Sequence, residues 1–453
     1  MERVEKFKTM SVPAMNPVFV RALAVLITSI LMPLQILAQV SGKPAARHVI
    51  ICVDGVGLST ISKMRAKGHF KNFRPPSHMI STFPSLTNAA LSKILEPAGA
   101  TMTGGYEDNF FDTEANRMRG GILDRFRSDR FVRGTFRELF HYHPSALKSG
   151  LGYAAPPVST YIESLTDLIR LRQKARHSRQ PVFLAYTGAT DSLAHVGGET
   201  LLRNFLEELD ETVEDIVRES KTPVEVTIFS DHGNDFRKYR RVALKEPLRN
   251  AGFKLEGKIK DDRSVVLPQF GLVGSAVLFT RDKNEERLAE VLATLEGIDF
   301  VTYERNGVVH VASRRGEATI ERRADAYRYS TVKGDPLDLM SLTKHQQNGT
   351  DGFIKDEDWF AVTRDDTRPD VVRRIFDGAT QGVLNRANVI VNLEDGYYTG
   401  SYFLDTFTVL QATHGNIGQE QSYGFVMSTT RELPPYIRAA DLWEALGAAQ
   451  LRG

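Results

Sequence analysis

The chain carries one cysteine in 453 residues. Cys52 has no intrachain partner, so a disulfide framework is excluded, and a lone thiol in an apolar strand behaves as a small hydrophobe. An excess of charge of one sign is also lacking. The 58 basic residues stand against 56 acidic ones, a formal net charge of +2. No basic surplus points to nucleic acid, and there is no acidic tail. No internal repeat or low-complexity segment occurs, so a chain of this length reads as one large domain with insertions or as two domains. Long uncharged apolar runs are scarce. The exception is ALAVLITSILMPLQILA (22–38), which follows Arg3, Lys6, Lys8 and Arg21; no charge appears again until Lys43. This pattern reads as a secretory signal peptide cleaved after Ala38. An exported chain without disulfides suits a periplasmic or secreted address. An uncleaved anchor is the alternative, but Pro33 and Gln35 make a poor span against the usual length of about 20 apolar residues.

What is present is an ordinary globular composition, 42% apolar and 25% charged. HVIICVDG (48–55), PVFLAYTG (181–188) and VEVTIFSDHG (224–233) are continuous rather than alternating apolar runs. Such runs suit strands buried on both faces of a parallel sheet. Between them, 161–176 reads as helical. So does 201–217, where Leu202, Phe205, Leu206, Leu209, Val213, Ile216 and Val217 form an apolar stripe. Strands alternating with helices predict an α/β, doubly wound, mostly parallel sheet. Residues 240–340 change to short strands with turn signals, interrupted by a helical segment at 283–296, and SYGFVMST (422–429) returns to the core sheet. The expected organisation is a signal peptide at 1–38, a catalytic core at 46–240 and 395–450, and an inserted α+β subdomain at 241–394.

Open α/β sheets bind ligands at the carboxyl ends of their strands, so polar residues there come first. Asp54 ends the first run, and Asp231 and His232 end the third, in FSDHGND. TDSLAHVGG follows the second and sets Asp191 and His195 four apart, on one side of a helical turn. His414 lies in QATHGNIG far downstream. Three aspartates and three histidines suit zinc, and two metals about 3.5–4 Å apart form a clamp for in-line displacement at phosphorus. Thr82, in STFPSLTN (81–88), is the candidate nucleophile; a threonine hydroxyl needs such activation to attack. Ser81 and Ser85 flank it and remain alternatives.

In this order, Asp, Thr-Phe-Pro, Asp-Ser-x-x-His, Ser-Asp-His-Gly and Thr-His-Gly resemble the alkaline phosphatase superfamily, most closely its type I phosphodiesterase/nucleotide pyrophosphatase branch. The resemblance covers roughly residues 46–235 and 395–430. It implies a two-zinc site, with other divalent metals admissible. Asp191, His195 and His414 would hold one ion; Asp54, Asp231 and His232 would hold the other, with the Thr82 oxygen facing it. It further implies a phosphothreonine intermediate on Thr82 and an oxyanion-stabilising asparagine, matched by Asn109 in GYEDNFFD, with Asn88 as the weaker alternative.

The chain departs from the branch in one place, with Ser85 and Leu86 where Asn-His is usual. A sulfatase is disfavoured because Cys52 is followed by Val-Asp-Gly rather than a Cys-x-Pro-x-Arg motif. The expectation is an exported phosphodiesterase acting on a small phosphate ester such as a nucleotide, with no nucleic-acid surface. A phosphomonoesterase or a head-group phosphotransferase on the same scaffold is the first alternative. Monoesterases add an arginine, and Arg117, Arg119, Arg125 and Arg127 lie downstream. A non-catalytic metal-binding protein is the second alternative.

Overall fold

A computed structural model of the protein describes residues 48–120, 135–144, 157–281, 283–342 and 351–447. The segment read as a signal peptide, together with Arg125 and Arg127, lies outside them. Among the described residues, no helix is long and apolar enough to cross a membrane.

Of the strands in the two main sheets, four come first: β1 (His48–Val53), β2 (Ser77–Ile80), β3 (Val182–Thr187) and β4 (Glu225–Phe229). Seven follow: β5 (Ser275–Leu278), β6 (Ile298–Arg305), β7 (Val308–Ser313), β8 (Gly316–Arg323), β9 (Ala326–Gly334), β10 (Ile354–Lys355) and β11 (Val389–Leu393). The chain ends its strands with β12 (Tyr423–Ser428) and β13 (Tyr436–Arg438). The first sheet has the order β13-β2-β12-β4-β1-β3. β1 pairs in parallel with β3 and β4, β2 pairs in parallel with β13, and β12 runs antiparallel to both β4 and β2. The sheet is therefore mostly parallel, with one reversed strand. The second sheet, β5-β11-β6-β7-β8-β9-β10, is antiparallel throughout, and its strands fall within 241–394.

The continuous apolar runs are explained by helices on both faces. The relevant helices are α1 (Leu58–Ala66), α2 (Thr87–Ile94), α3 (Pro157–His177), α4 (Ala189–Glu219), α5 (Glu285–Ala293) and α6 (Val371–Thr380). Val49, Ile51 and Val53 pack with Leu202, Phe205, Leu206 and Leu209 of α4 on one face, while Ile50 and Cys52 pack with Leu91 and Ile94 of α2 on the other. Cys52 is fully buried, which pushes its thiol pKa well up and leaves it inert. The stripe expected on 201–217 is buried as far as Ile216; Val217 is 42% exposed because it has turned past the seam.

The loop between β2 and α2 is clamped between the sheets. Phe83, Leu86 and Ala89 belong to the core that also holds Phe300 of β6 and Ile375 of α6. Gly104–Asn109 is tied down from the other side, where the Gly271 amide donates to Glu107 Oε1 at 2.8 Å. Burial pushes the Glu107 carboxyl up to about 7, against the pull of that amide and with help from Asp108. A carboxyl raised on folding binds more protons in the folded state, so it costs stability as pH rises from its unfolded value to about 7. Glu107→Gln is expected to raise stability at pH 8 by at most about 3 kcal/mol, read as a higher thermal midpoint, and to leave the midpoint unchanged at pH 4. A lower midpoint at pH 8 would show that the charged hydrogen bond outweighs the burial cost.

Candidate metal centre

Asp54 directly follows β1, and Asp231 and His232 follow β4 by one residue. Asp191 and His195 occupy the first turns of α4 after β3, ahead of the break at Gly198, where φ is 68°. His414 arrives on the segment before β12. Three parallel strands thus deliver five of these side chains to one edge, and the segment before β12 brings the sixth. Their donor atoms sort into two groups, Asp191, His195 and His414 in one and Asp54, Asp231 and His232 in the other. Within each group the atoms lie within 4.8 Å of one another, and all six residues are buried. His195 Nε2 is 3.2 Å and His414 Nε2 3.6 Å from Asp191 Oδ1. His232 Nε2 is 3.4 Å from both Asp54 Oδ1 and Asp231 Oδ2. The groups adjoin, since the His232 and His414 rings stack at 4.0 Å between centroids.

The surroundings fit a cation in each group. His232 Nδ1 lies 3.0 Å from the Gly233 carbonyl and His414 Nδ1 3.0 Å from that of Ser85. A carbonyl only accepts, so each Nδ1 carries the proton and each Nε2 presents a lone pair to its group. Burial lowers both imidazoles, His414 to about 3, which keeps them neutral as ligands must be. Two of the carboxylates, Asp54 and Asp231, lack compensating charge. Burial pushes Asp54 well above the usual range, with repulsion from Asp231 and Asp191 adding, and burial pushes Asp231 up to about 7. Burial works the same way on Asp191, but His195 and His414 outweigh it and hold that carboxyl well below its ordinary value. Asp231 Oδ2 is buried without a hydrogen-bond partner among the described residues. The remaining lone pairs are oriented: Tyr186 Oη donates to Asp54 Oδ2, the Gly55 amide to Asp231 Oδ1 and Asn234 Nδ2 to Asp191 Oδ1. Gly55 has φ 63°, and a Cβ there would sit 2.7 Å from Asp191 Oδ1, so only glycine brings the strand end this close.

The hydroxyl at this site belongs to Thr87 rather than Thr82. Thr87 Oγ1 donates to Asp54 Oδ1 at 3.1 Å and lies 3.2 Å from His232 Nε2. It is the first residue of α2, half-buried, where the unpaired amides of a helix start favour an anion. Thr82 Oγ1 donates instead to the Pro84 carbonyl, and Thr82 lines a separate cavity that none of the six ligands touches. Ser85 Oγ donates to the Thr82 and Asn416 carbonyls. Asn109 is half-buried beside Asp108 and forms no hydrogen bond to Thr87 or to either group. Asn88 is the asparagine next to Thr87; its Nδ2 lies 3.4 Å from Asp108 Oδ1. Arg137 Nη2 reaches both Asp108 Oδ1, at 2.8 Å, and Asn88 Oδ1, at 3.3 Å. Sequence reasoning missed Thr87, Tyr186, Asn234 and Arg137. Thr87 alone had a local signal: a polar residue opening the run AALSKI at a helix start.

No family model matches the chain, and no curated protein matches it in sequence. Solved structures do. Phosphonoacetate hydrolase from Sinorhizobium meliloti 1021, in complex with phosphonoformate, aligns at TM-score 0.50 and 13% identity, over 89% of this chain and 96% of that one. Its phosphonoacetate complex aligns at TM-score 0.50 and 12% identity over the same shares. The fold is alkaline phosphatase-like. Murine ectonucleotide pyrophosphatase/phosphodiesterase 5 aligns at TM-score 0.47 and 10% identity, over 88% of this chain and 94% of that one. At 12–13% identity the likeness to phosphonoacetate hydrolase concerns the fold alone, and the chemistry rests on the side chains themselves.

Proposed function

We propose that the chain is a divalent-metal-dependent phosphoric ester hydrolase that cleaves small diesters, nucleotide-type pyrophosphates included, through a phosphothreonine on Thr87. The observation that supports this reading most is the Thr87 hydroxyl set against Asp54 and His232, beside a second group of the same chemistry. Bound in the two groups, divalent ions such as zinc supply Lewis acidity toward phosphoryl oxygen and acidify a nearby hydroxyl. Asp54 orients the Thr87 hydroxyl through its hydrogen bond. The Thr87 oxygen gives up its proton to water and forms a bond to phosphorus as the bond to the leaving oxygen breaks; that oxygen departs with the electron pair and takes a proton from water. Water then attacks the same phosphorus, the bond to the Thr87 oxygen breaks, that oxygen takes back a proton, and the remaining phosphate monoester is released. The α2 amides and Asn88 stand where negative charge grows on the phosphoryl oxygens. Export belongs to the same proposal and rests on residues 1–38.

The test is turnover of bis-p-nitrophenyl phosphate, p-nitrophenyl phosphate and phosphonoacetate by the mature chain, with zinc and after chelation. Phosphonoacetate is included because a shared fold leaves the substrate open. Zinc-dependent diester turnover in excess of the other two is expected. Metal-bound protein inert toward all three would sink the reading.

Arg137 favours a second reading, a phosphomonoesterase, because a guanidinium beside Asn88 suits the extra charge of a monoester. Arg137→Ala is expected to lower monoester kcat/KM by about 10- to 100-fold, the size of a charged hydrogen bond, and diester kcat/KM by less than about threefold. Equal losses on both would remove Arg137 from substrate discrimination.

A further inference from the structure

The turn that follows β1 runs between the two metal groups, and other segments strap its backbone. Thr190 Oγ1 donates to the Asp54 carbonyl at 2.6 Å, and the Val56 amide donates to Ser230 Oγ at 2.8 Å. The Gly55 amide donates to Asp231 Oδ1 at 3.2 Å. The Gly55 carbonyl accepts from Asn234 Nδ2 at 2.7 Å. The same Nδ2 donates to Asp191 Oδ1 at 3.1 Å. One side chain therefore touches a ligand of one group and the residue whose amide holds a ligand of the other. Gly55 has little room to move between them: a Cβ there would sit 2.6 Å from Asn234 Nδ2 and 3.2 Å from His232 Cε1.

The chemistry at this point calls for an amide. Nδ2 carries two hydrogens, and two acceptors face it, a carbonyl and a carboxylate. Aspartate at 234 would set a second carboxylate against Asp191, and leucine would leave both acceptors bare. Asn234 is buried, and its backbone is fixed on both sides. The Gly233 amide donates to the Gln421 carbonyl at 3.1 Å, and a Cβ on Gly233 would sit 2.1 Å from the Glu420 carbonyl oxygen. The Asp235 amide donates to the Thr413 carbonyl at 3.2 Å, one residue before the ligand His414.

We infer that Asn234 is a positioning residue shared by the two metal groups, so that the affinity of both ions depends on one amide. In the first group it holds Asp191 directly. In the second it acts through Gly55, fixing the turn whose amide holds Asp231 and whose preceding residue, Asp54, is itself a ligand. The inference rests on the two-metal reading above and adds a link between the groups. Hydrogen-bond partners behind metal ligands are worth about 10- to 100-fold in metal affinity.

The experiment strips the purified chain of metal and titrates zinc back against a competing chelating dye. Wild type, Asn234→Leu and Asn234→Ala are compared, and so is Asp191→Ala with and without Asn234→Leu. Thermal unfolding of each metal-free form is recorded alongside. Wild type is expected to bind two equivalents, and each folded single variant to bind both about 10- to 100-fold more weakly. Asp191→Ala keeps the ion of the Asp54, Asp231 and His232 group; adding Asn234→Leu is expected to weaken that ion about tenfold or more, although the contact to Asp191 is already gone. A merely structural role would lower the metal-free midpoint and leave the affinities of the folded protein unmoved. Unmoved affinities, a loss confined to one ion, or an unmoved remaining ion in the double variant would each overturn the shared role. Wild type without zinc binding would sink the two-metal reading along with it, whereas two equivalents in wild type and unmoved variants would remove Asn234 alone. If Asn234→Leu does not fold, Asn234→Ala takes its place in both arms.

Discussion

Thr87→Ala is expected to abolish turnover, by at least about a thousandfold in kcat, because losing a nucleophile removes the covalent route and leaves only what binding supplies. Thr82→Ala is expected to stay within about threefold. Both threonines lie in one eight-residue stretch, so the pair separates site geometry from local sequence. Thr87 Oγ1 is 3.1 Å from Asp54 Oδ1 and opens a helix whose amides face the same region. Thr82 Oγ1 is spent on the Pro84 carbonyl. Thr87→Ser keeps the oxygen and should retain measurable activity. Metal content and melting temperature must match wild type for the comparison to count. A dead Thr82→Ala beside an active Thr87→Ala would reverse the assignment.

Asp191→Ala is expected to cut bound metal from two equivalents to one after dialysis. Asp191 Oδ1 is the atom that both His195 Nε2 and His414 Nε2 approach, so removing it leaves that group two imidazoles and no anion. Changes outside the ligand shell already cost about 10- to 100-fold in metal affinity, so loss of a ligand carboxylate should cost more than about 100-fold. The Asp54, Asp231 and His232 group keeps its own donors and should retain its ion. Turnover should fall by about two orders of magnitude or more. Elemental analysis of the purified variant reads the result. Two equivalents retained with activity intact would show that these residues do not form a separate metal site.

The sequence by itself determined the six candidate ligands, which the structure gathers into two groups, and the sheet that carries them. Short continuous apolar runs ending in turn signals suit strands covered on both faces, and a strand covered on both faces leaves its carboxyl end as the place for polar chemistry. Asp54, Asp231 and His232 sit at such ends, and the four-residue spacing of Asp191 and His195 puts them on one side of α4 whatever lies above. Tertiary structure decided what depends on distance between segments. That Thr87 rather than Thr82 lies beside Asp54 turns on where the β2–α2 loop is pinned by Phe83 against Phe300, 217 residues downstream, and by Arg374 on the Thr82 carbonyl. Arg137 and Asn234 meet Asn88 and Asp191 only after the chain has closed, so no local pattern marks them.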